Sequence, residues 1–309
     1  TMDMQNSIAL ECKCVTDAVH EIAHLLQKHP LNYGHGIQTS VDEAAYLVSF
    51  VVGLPPDFGE ESAAKLLDHA HVDRLQEIVH KRIFSRIPLA YLLGETLLSG
   101  MKFFVDENVL IPRSPIAEMI ENRFFPWLTE KQPVRRILDL CTGSGCLGIL
   151  AALEFGHSQV DVSDIDSKAL KVANRNIIFH GLQSRINVVL SDVYEQLPGH
   201  QYDIIIANPP YVPVSEQIDL PSEFSHEPAH ALFAGEDGLD IAKRIICGAC
   251  QFLEPRGILV LEVGQSAQAL QAHFPQIDFM WHELEYGGEG ICVLAGEECK
   301  KIVETNAVE

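Results

Sequence analysis

Residues 137–148 read Ile137-Leu-Asp139-Leu-Cys141-Thr142-Gly143-Ser144-Gly145-Cys-Leu-Gly148, an apolar run of strand length that passes a carboxylate and enters a glycine-rich turn. Gly143, Gly145 and Gly148 fit the spacing G-x-G-x-x-G, and a helix-length segment follows. Glycines in that pattern allow a tight turn and close backbone approach to a ligand at a helix N-terminus. Asp164 lies 21 residues after Gly143, just past the apolar run Val160–Val162. There it is placed to accept hydrogen bonds from both ribose hydroxyls of a nucleotide-type cofactor. These features alone leave NAD and S-adenosylmethionine tied. Asp139, four residues before the first glycine, separates them, because it repels a pyrophosphate and attracts the ammonium of a methionine moiety.

Further strand-length runs, Val188–Leu190, Ile204–Ile206 and Ile258–Leu261, alternate with helix-length segments after Pro133. That alternation predicts an α/β domain with a mostly parallel sheet. Phe279–Glu285 and Ile291–Leu294, joined through Gly287 and Gly288, predict a closing antiparallel hairpin. Upstream, residues 8 to 86 carry only helical periodicity. Ile8, Val15, Val19, Ile22, Leu25 and Leu26 form one stripe, and Val72, Leu75, Ile78, Val79 and Ile83 another. Ser40-Val-Asp-Glu43 reads as a capping box opening the run from Ala44 to Val52. Residues 95 to 112 alternate and turn as a β-hairpin linker, and Ser114 before Pro115 predicts the cap of a helix reaching about Leu128. The expected organisation is a helical domain at 1–94 for substrate recognition, a hairpin-and-helix linker at 95–133, and a Rossmann-like domain at 134–309.

Asn208-Pro209-Pro210-Tyr211 follows the strand Asp203–Ala207, at the carboxyl end where open α/β sheets bind ligands. The two prolines stiffen the backbone and withhold N–H groups, leaving the Pro209 carbonyl and the Asn208 side-chain oxygen as fixed acceptors. Two acceptors suit one NH2 group, whose lone pair is held in conjugation when the nitrogen belongs to a planar amide or exocyclic amine. Methyl transfer to such a nitrogen requires that it be gripped and aimed. Tyr211 can pack on the planar group.

The chain has 309 residues, with 22 Lys+Arg against 43 Asp+Glu, a formal charge of −21. Such a chain repels a phosphate backbone, which argues against stable nucleic-acid binding and favours basic partners. No apolar run approaches the roughly 18 to 20 residues that span a bilayer. The opening TMDMQNSIALECKC carries charges where a signal peptide needs an apolar stretch, so the expectation is a cytoplasmic protein with no membrane partner. The eight cysteines fit reduced thiols, and Cys247-Gly-Ala-Cys250 lies in a helical apolar pattern that suits packing. His20 and His24 lie one helical turn apart and Glu21 completes the H-E-x-x-H spacing; the histidines are nonetheless expected at the surface or core edge, so no metal site is expected.

The segments Asp139–Gly145, Asp164, Ser191-Asp192 and Asn208–Tyr211 resemble class I S-adenosylmethionine methyltransferases acting on planar NH2 groups. Arg86-Ile-Pro88, Tyr91, Gly94, Phe103–Asp106, Val109–Arg113, Glu227-Pro228 and Gly235–Leu239 narrow the likeness. From about Leu75 to Leu294 the chain is similar to the protein-(glutamine-N(5)) methyltransferases. In the release-factor branch of that family Arg113 would be followed by Pro-Glu-Thr-Glu; here Ser114-Pro-Ile-Ala-Glu118 follows, and Cys141 replaces a glycine. The chain is thus nearest the branch acting on ribosomal protein L-3, which Glu285–Gly290 also suits.

The resemblance implies S-adenosyl-L-methionine as cofactor and free, basic ribosomal protein L-3 as substrate. It assigns Cys141, Thr142, Gly143, Ser144 and Gly145 to the methionine moiety, beside Asp139. Asp164 goes to the ribose, and Asp192 and Val193 flank the adenine. Asn208, Pro209, Pro210 and Tyr211 hold the glutamine amide, Asn208 also bordering the cofactor, with Arg113, Glu227 and Pro228 on the substrate side. The other readings are a release-factor glutamine methyltransferase, an adenine N6 methyltransferase, an NAD-dependent oxidoreductase and a non-catalytic ribosomal-protein chaperone.

Overall fold

Apolar residues spaced by three and four build five helices in the first part of the chain: α1 (Val15–Gln27), α2 (Ser40–Val52), α3 (Glu60–Ala63), α4 (His69–Phe84) and α5 (Leu89–Leu93). The computed structural model describes residues 8–129, 132–285 and 287–306. The outer ends of the expected 1–94 and 134–309 domains, and Tyr286 of the Glu285–Gly290 motif, lie outside the described residues. α1 buries Val15, Ala18, Ile22, Ala23 and Leu26 along one stripe. Ile8 is not part of it, because the helix begins at Val15; Leu10 instead donates its N–H to Gln76 Oε1 at 2.8 Å, and Cys14 bridges to Leu66.

The expected capping box shifts by one residue. Thr39 is the N-cap of α2, its hydroxyl accepting from the Asp42 N–H at 3.1 Å, while Ser40 is already helical. Glu43 is thereby released from a capping role and turned inward, where it accepts from Arg82 Nε at 2.6 Å. Arg82 Nη1 also donates to Glu223 Oε1 at 3.1 Å, and Arg86 binds both oxygens of Glu223 at 2.9 Å each. These contacts explain why the chain divides differently from the expected boundaries. Pro221–His226 groups with the residues up to Thr96 as one compact unit, and Leu97–Leu220 with Glu227–Glu309 forms the other.

The hairpin of β1 (Glu95–Leu98) and β2 (Met101–Phe104) turns through Ser99 and Gly100, both left-handed at φ 52° and 71°. The helix expected to reach Leu128 is shorter: α6 (Ile116–Glu121) gives way to a turn in which Arg123 and Phe124 have φ of 52° and 55°. Then follow β3 (Arg136–Leu140), α7 (Cys146–Glu154), β4 (Gln159–Asp164), α8 (Ser167–Phe179), β5 (Ile186–Leu190) and β6 (Tyr202–Ala207). α9 (Asp240–Phe252), β7 (Leu253–Glu262), α10 (Ala267–His273), β8 (Met280–Trp281), β9 (Ile291–Ala295) and α11 (Gly296–Asn306) complete the unit.

The sheet order is β5-β4-β3-β6-β7-β9-β8, with β9 antiparallel to both β7 and β8 and the other pairings parallel. Alternate residues of one strand point to opposite faces. Ile137, Val160, Ile204 and Val260 face a core with Ile116, Ile149 and Ile177, whereas Leu138, Ile205 and Leu259 face one with Ile245, Leu270 and Ile302. Two-sided burial accounts for the unbroken apolar strands. Strand order reverses at β3, between β4 and β6, and the carboxyl ends of all three meet at one edge. A crevice at that switch point is where such sheets bind ligands. No helix among the described residues is long and apolar enough to cross a membrane.

Candidate cofactor and substrate site

The glycine-rich turn after β3 is held from within. Asp139 Oδ2 accepts from Thr142 Oγ1 at 2.6 Å and from the Gly148 N–H at 2.8 Å. Burial raises the Asp139 pKa to about 7, against the downward pull of those two bonds. Cys141, Gly143 and Gly145 have φ of 55°, 54° and 81°, so a thiol-bearing residue occupies a backbone region that glycine enters at least cost. A side chain at Gly148 would run into Val162, and one at Gly145 would press on Ala173 at 3.1 Å, so those two glycines serve helix packing. Nothing lies within 4 Å of a Cβ built on Gly143, which faces open space. Asp164 Oδ2 accepts the Gly143 N–H at 2.9 Å, and its Oδ1 accepts that of Asp166 at 3.0 Å.

These groups open onto a cavity of about 250 Å³, also lined by Asp192, Val193, Arg113, Asn208 and Pro210. Cys141, Thr142, Gly143 and Ser144 line it; Gly145 does not. Asp192 is additionally tied to Arg244, whose Nη1 donates to Oδ1 at 2.8 Å. Val193 is buried at φ 51°, its carbonyl accepting from Ser191 Oγ at 2.9 Å. Three carboxylates, Asp139, Asp164 and Asp192, thus line a cavity whose one guanidinium among the described residues, Arg113, is already bonded to Glu227. That acceptor set suits a ligand with hydroxyls and positive charge better than one with a pyrophosphate.

Asn208 leaves β6 at the cavity wall. Its Oδ1 is buried and has no hydrogen-bond partner among the described residues. An unpaired buried acceptor costs roughly 1–3 kcal/mol, so it marks a place where a donor is due to arrive. Pro209 and Tyr211 do not line the cavity; the Tyr211 hydroxyl donates to Glu262 Oε1 at 3.0 Å, and its carbonyl accepts from Ser266 Oγ at 3.0 Å.

The residues expected on the substrate side are committed to one another. Arg113 Nη1 and Nη2 donate to the two Glu227 oxygens at 2.9 Å each, and the Ile111 N–H adds a bond at 3.0 Å. The pair ties the 109–113 segment to 227–231, and neither Glu227 nor Pro228 lines the cavity. Three contributors were missed by sequence reasoning. Asn176 is fully buried and bonds Phe104 and the Ser144 carbonyl, steadying the turn. Its signal is an amide on the apolar stripe of α8. His230 lines the cavity and reaches Asp166 at 3.2 Å. Glu262 ends the apolar run Ile258–Leu261, where a carboxylate is out of pattern.

Residues 123–237 match the family described as methyltransferase small domain. A Bordetella pertussis protein named ribosomal protein uL3 glutamine methyltransferase is 39% identical over 295 residues, covering 96% of this chain and 99% of its own. Proteins of the same name from Francisella tularensis and Neisseria meningitidis are 40% and 38% identical, covering 87% and 96% of this chain. Among solved structures, the hMettl16 catalytic domain in complex with the MAT2A 3'UTR hairpin 1 superposes with a TM-score of 0.50 at 17% identity, covering 81% of this chain and 91% of its own. That likeness concerns the fold.

Proposed function

The chain belongs to the ribosomal protein uL3 glutamine methyltransferase family, and from that membership we propose the roles of its residues in S-adenosyl-L-methionine-dependent N(5)-methylation of a glutamine side chain in uL3. It is a methyltransferase by family. The observation that carries the assignment of the reacting site is the buried, unpartnered Asn208 Oδ1 at the cavity wall.

The cofactor's fit rests on the open face of Gly143 and the three cavity carboxylates. Asp164 takes the ribose hydroxyls, Asp192 and Val193 flank the adenine, and Asp139 with the Cys141–Ser144 turn receives the methionine moiety. When bound, the cofactor supplies an electrophilic methyl group. Asn208 Oδ1 accepts one amide hydrogen of the incoming glutamine, and the Pro209 carbonyl accepts the other. Two acceptors on one nitrogen fix its plane and raise its electron density, while the proline pair keeps both acceptors from retreating. The enzyme's share of the rate comes from this orientation.

The substrate is free uL3. A chain of charge −21 attracts a basic protein and repels assembled, RNA-covered subunits. The test is labelled-methyl transfer to purified uL3 and, separately, to release factor. Label in uL3 well above that in release factor is expected. Preference for release factor would overturn the substrate assignment, and no turnover on either would overturn the reaction.

A further inference from the structure

Glu262 closes β7 with its side chain buried and its backbone paired to Ile291 of β9. Its oxygens accept two hydroxyls: Tyr211 Oη reaches Oε1 at 3.0 Å and Ser114 Oγ reaches Oε2 at 2.5 Å. Desolvating a carboxylate is costly, so a position that merely ends an interior strand would be better served by an aliphatic side chain.

The surroundings of Glu262 converge on Tyr211. Gly264, at φ +50°, lies under the ring, and a Cβ there would stand 2.6 Å from Tyr211 Cε2. Gly290 packs backbone on backbone against Gly264, and a side chain at Gly238 would collide with the Tyr211 carbonyl. Ser266 Oγ holds that carbonyl at 3.0 Å. Hydroxyl, ring face and main chain are each fixed by a separate group. Ser114 Oγ also accepts from the Ile116 N–H at 3.2 Å, which links the start of α6 to the same seat.

We propose that Glu262 is a positioning residue for methyl transfer, holding the Tyr211 ring as a fixed wall for the substrate amide that Asn208 grips. The inference rests on the assignment of Asn208–Tyr211 to the glutamine amide. Burial, and then the Glu262 charge, push the Tyr211 phenol far above its ordinary value, which leaves it a neutral donor with no part as a base. Glu262 acts through Tyr211 and touches no reacting atom.

The experiment is steady-state kinetics on full-length enzyme with free uL3, together with titration by S-adenosylhomocysteine. Glu262→Leu is expected to lower kcat on the order of 10- to 100-fold, the scale of a misplaced reacting partner, with cofactor affinity unchanged. Glu262→Gln, which keeps an oxygen acceptor for Tyr211, is expected to recover most of that loss. Tyr211→Phe removes the same hydrogen bond from the other side, so adding Glu262→Leu to it should cause little further loss. Should Glu262→Leu fail to fold, Ser114→Ala, which leaves the Tyr211 bond in place, is expected to show a smaller fall in kcat and the same cofactor affinity. Wild-type turnover in Glu262→Leu, losses that multiply in the double variant, or loss confined to cofactor affinity would each overturn the positioning role. With Glu262→Leu unfolded, unchanged kcat in Ser114→Ala would do the same. An inactive wild-type enzyme would overturn the amide assignment and this inference together.

Discussion

The carboxylate of Asp164 accepts the backbone N–H of Gly143 at 2.9 Å, joining the end of β4 to the turn that follows β3. One side chain therefore shapes the glycine-rich turn, and in the proposed function it also receives the ribose. Asp164→Ala is expected to weaken S-adenosylhomocysteine binding by about 1.5–3 kcal/mol, the range for hydrogen bonds to a charged group. Asp164→Asn keeps an acceptor for Gly143 and should lose less. Calorimetric titration checks both, and equal affinities in wild type and Asp164→Ala would move the ribose contact elsewhere.

Asn208→Ala should remove turnover while sparing the cofactor. The orphaned Oδ1 faces the substrate amide in this account, so kcat falls by about 100-fold or more, as for loss of one preorganised polar contact at a reacting centre. Cofactor affinity should stay within about twofold of wild type, well below the tenfold that 1.4 kcal/mol represents. Turnover near wild type in this variant would contradict the grip.

Asp139 is expected to give cofactor binding a pH dependence. Its pKa in the free protein is raised to about 7 from 3.8, chiefly by burial, with the Thr142 and Gly148 bonds opposing and Asp164 adding to the rise. A raised carboxylate stabilises the folded state fully below the unfolded value of 3.8, and that contribution is lost as pH rises through about 7. A ligand ammonium prefers the ionised form, so binding below about pH 7 must expel a proton. Affinity for S-adenosylhomocysteine is expected to fall as pH drops from 8 to 6 (roughly the window around that pKa) and to be flatter in Asp139→Asn. Calorimetry in two buffers of different ionisation enthalpy measures the released proton.

Glu223 governs acid stability in the helical unit. Burial opposes its ionisation, but hydrogen bonds from Arg86, the Asn32 N–H and Arg82 prevail and bring its pKa from 4.5 to about 2. A depressed carboxylate contributes stability above 4.5 that disappears as pH falls toward 2. Glu223→Ala leaves Arg82, whose side chain is 3% exposed, with Glu43 as its one carboxylate and releases Arg86, and should cost about 1.5–3 kcal/mol at neutral pH. Thermal denaturation against pH reads both effects; an acid limb unchanged in Glu223→Gln would refute the assignment.

The parallel strands and the glycine-rich turn after β3 were legible because burial on both faces writes continuous apolar runs, and because glycine is favoured where φ is positive. The place of Asn208 at the end of β6 was legible for a different reason: the two prolines that follow it cannot continue the strand. What escaped depends on distant partners. Nothing local says that Glu43 leaves its capping position to meet Arg82, or that Glu223 joins them. The pairing of Arg113 with Glu227 is likewise not legible, because the two lie far apart in the sequence and only the fold brings them together. The early end of α6 follows from left-handed turns at Arg123 and Phe124, which helical periodicity does not announce.

The most direct test of the central claim is to locate the methyl group. Free uL3 is incubated with enzyme and labelled S-adenosyl-L-methionine, digested, and sequenced by tandem mass spectrometry, with acid hydrolysis of the labelled peptide alongside. The account predicts one methyl on the side-chain nitrogen of a glutamine, released by acid as methylamine. Label on a lysine, an arginine or a main-chain nitrogen, or none at all, would contradict it.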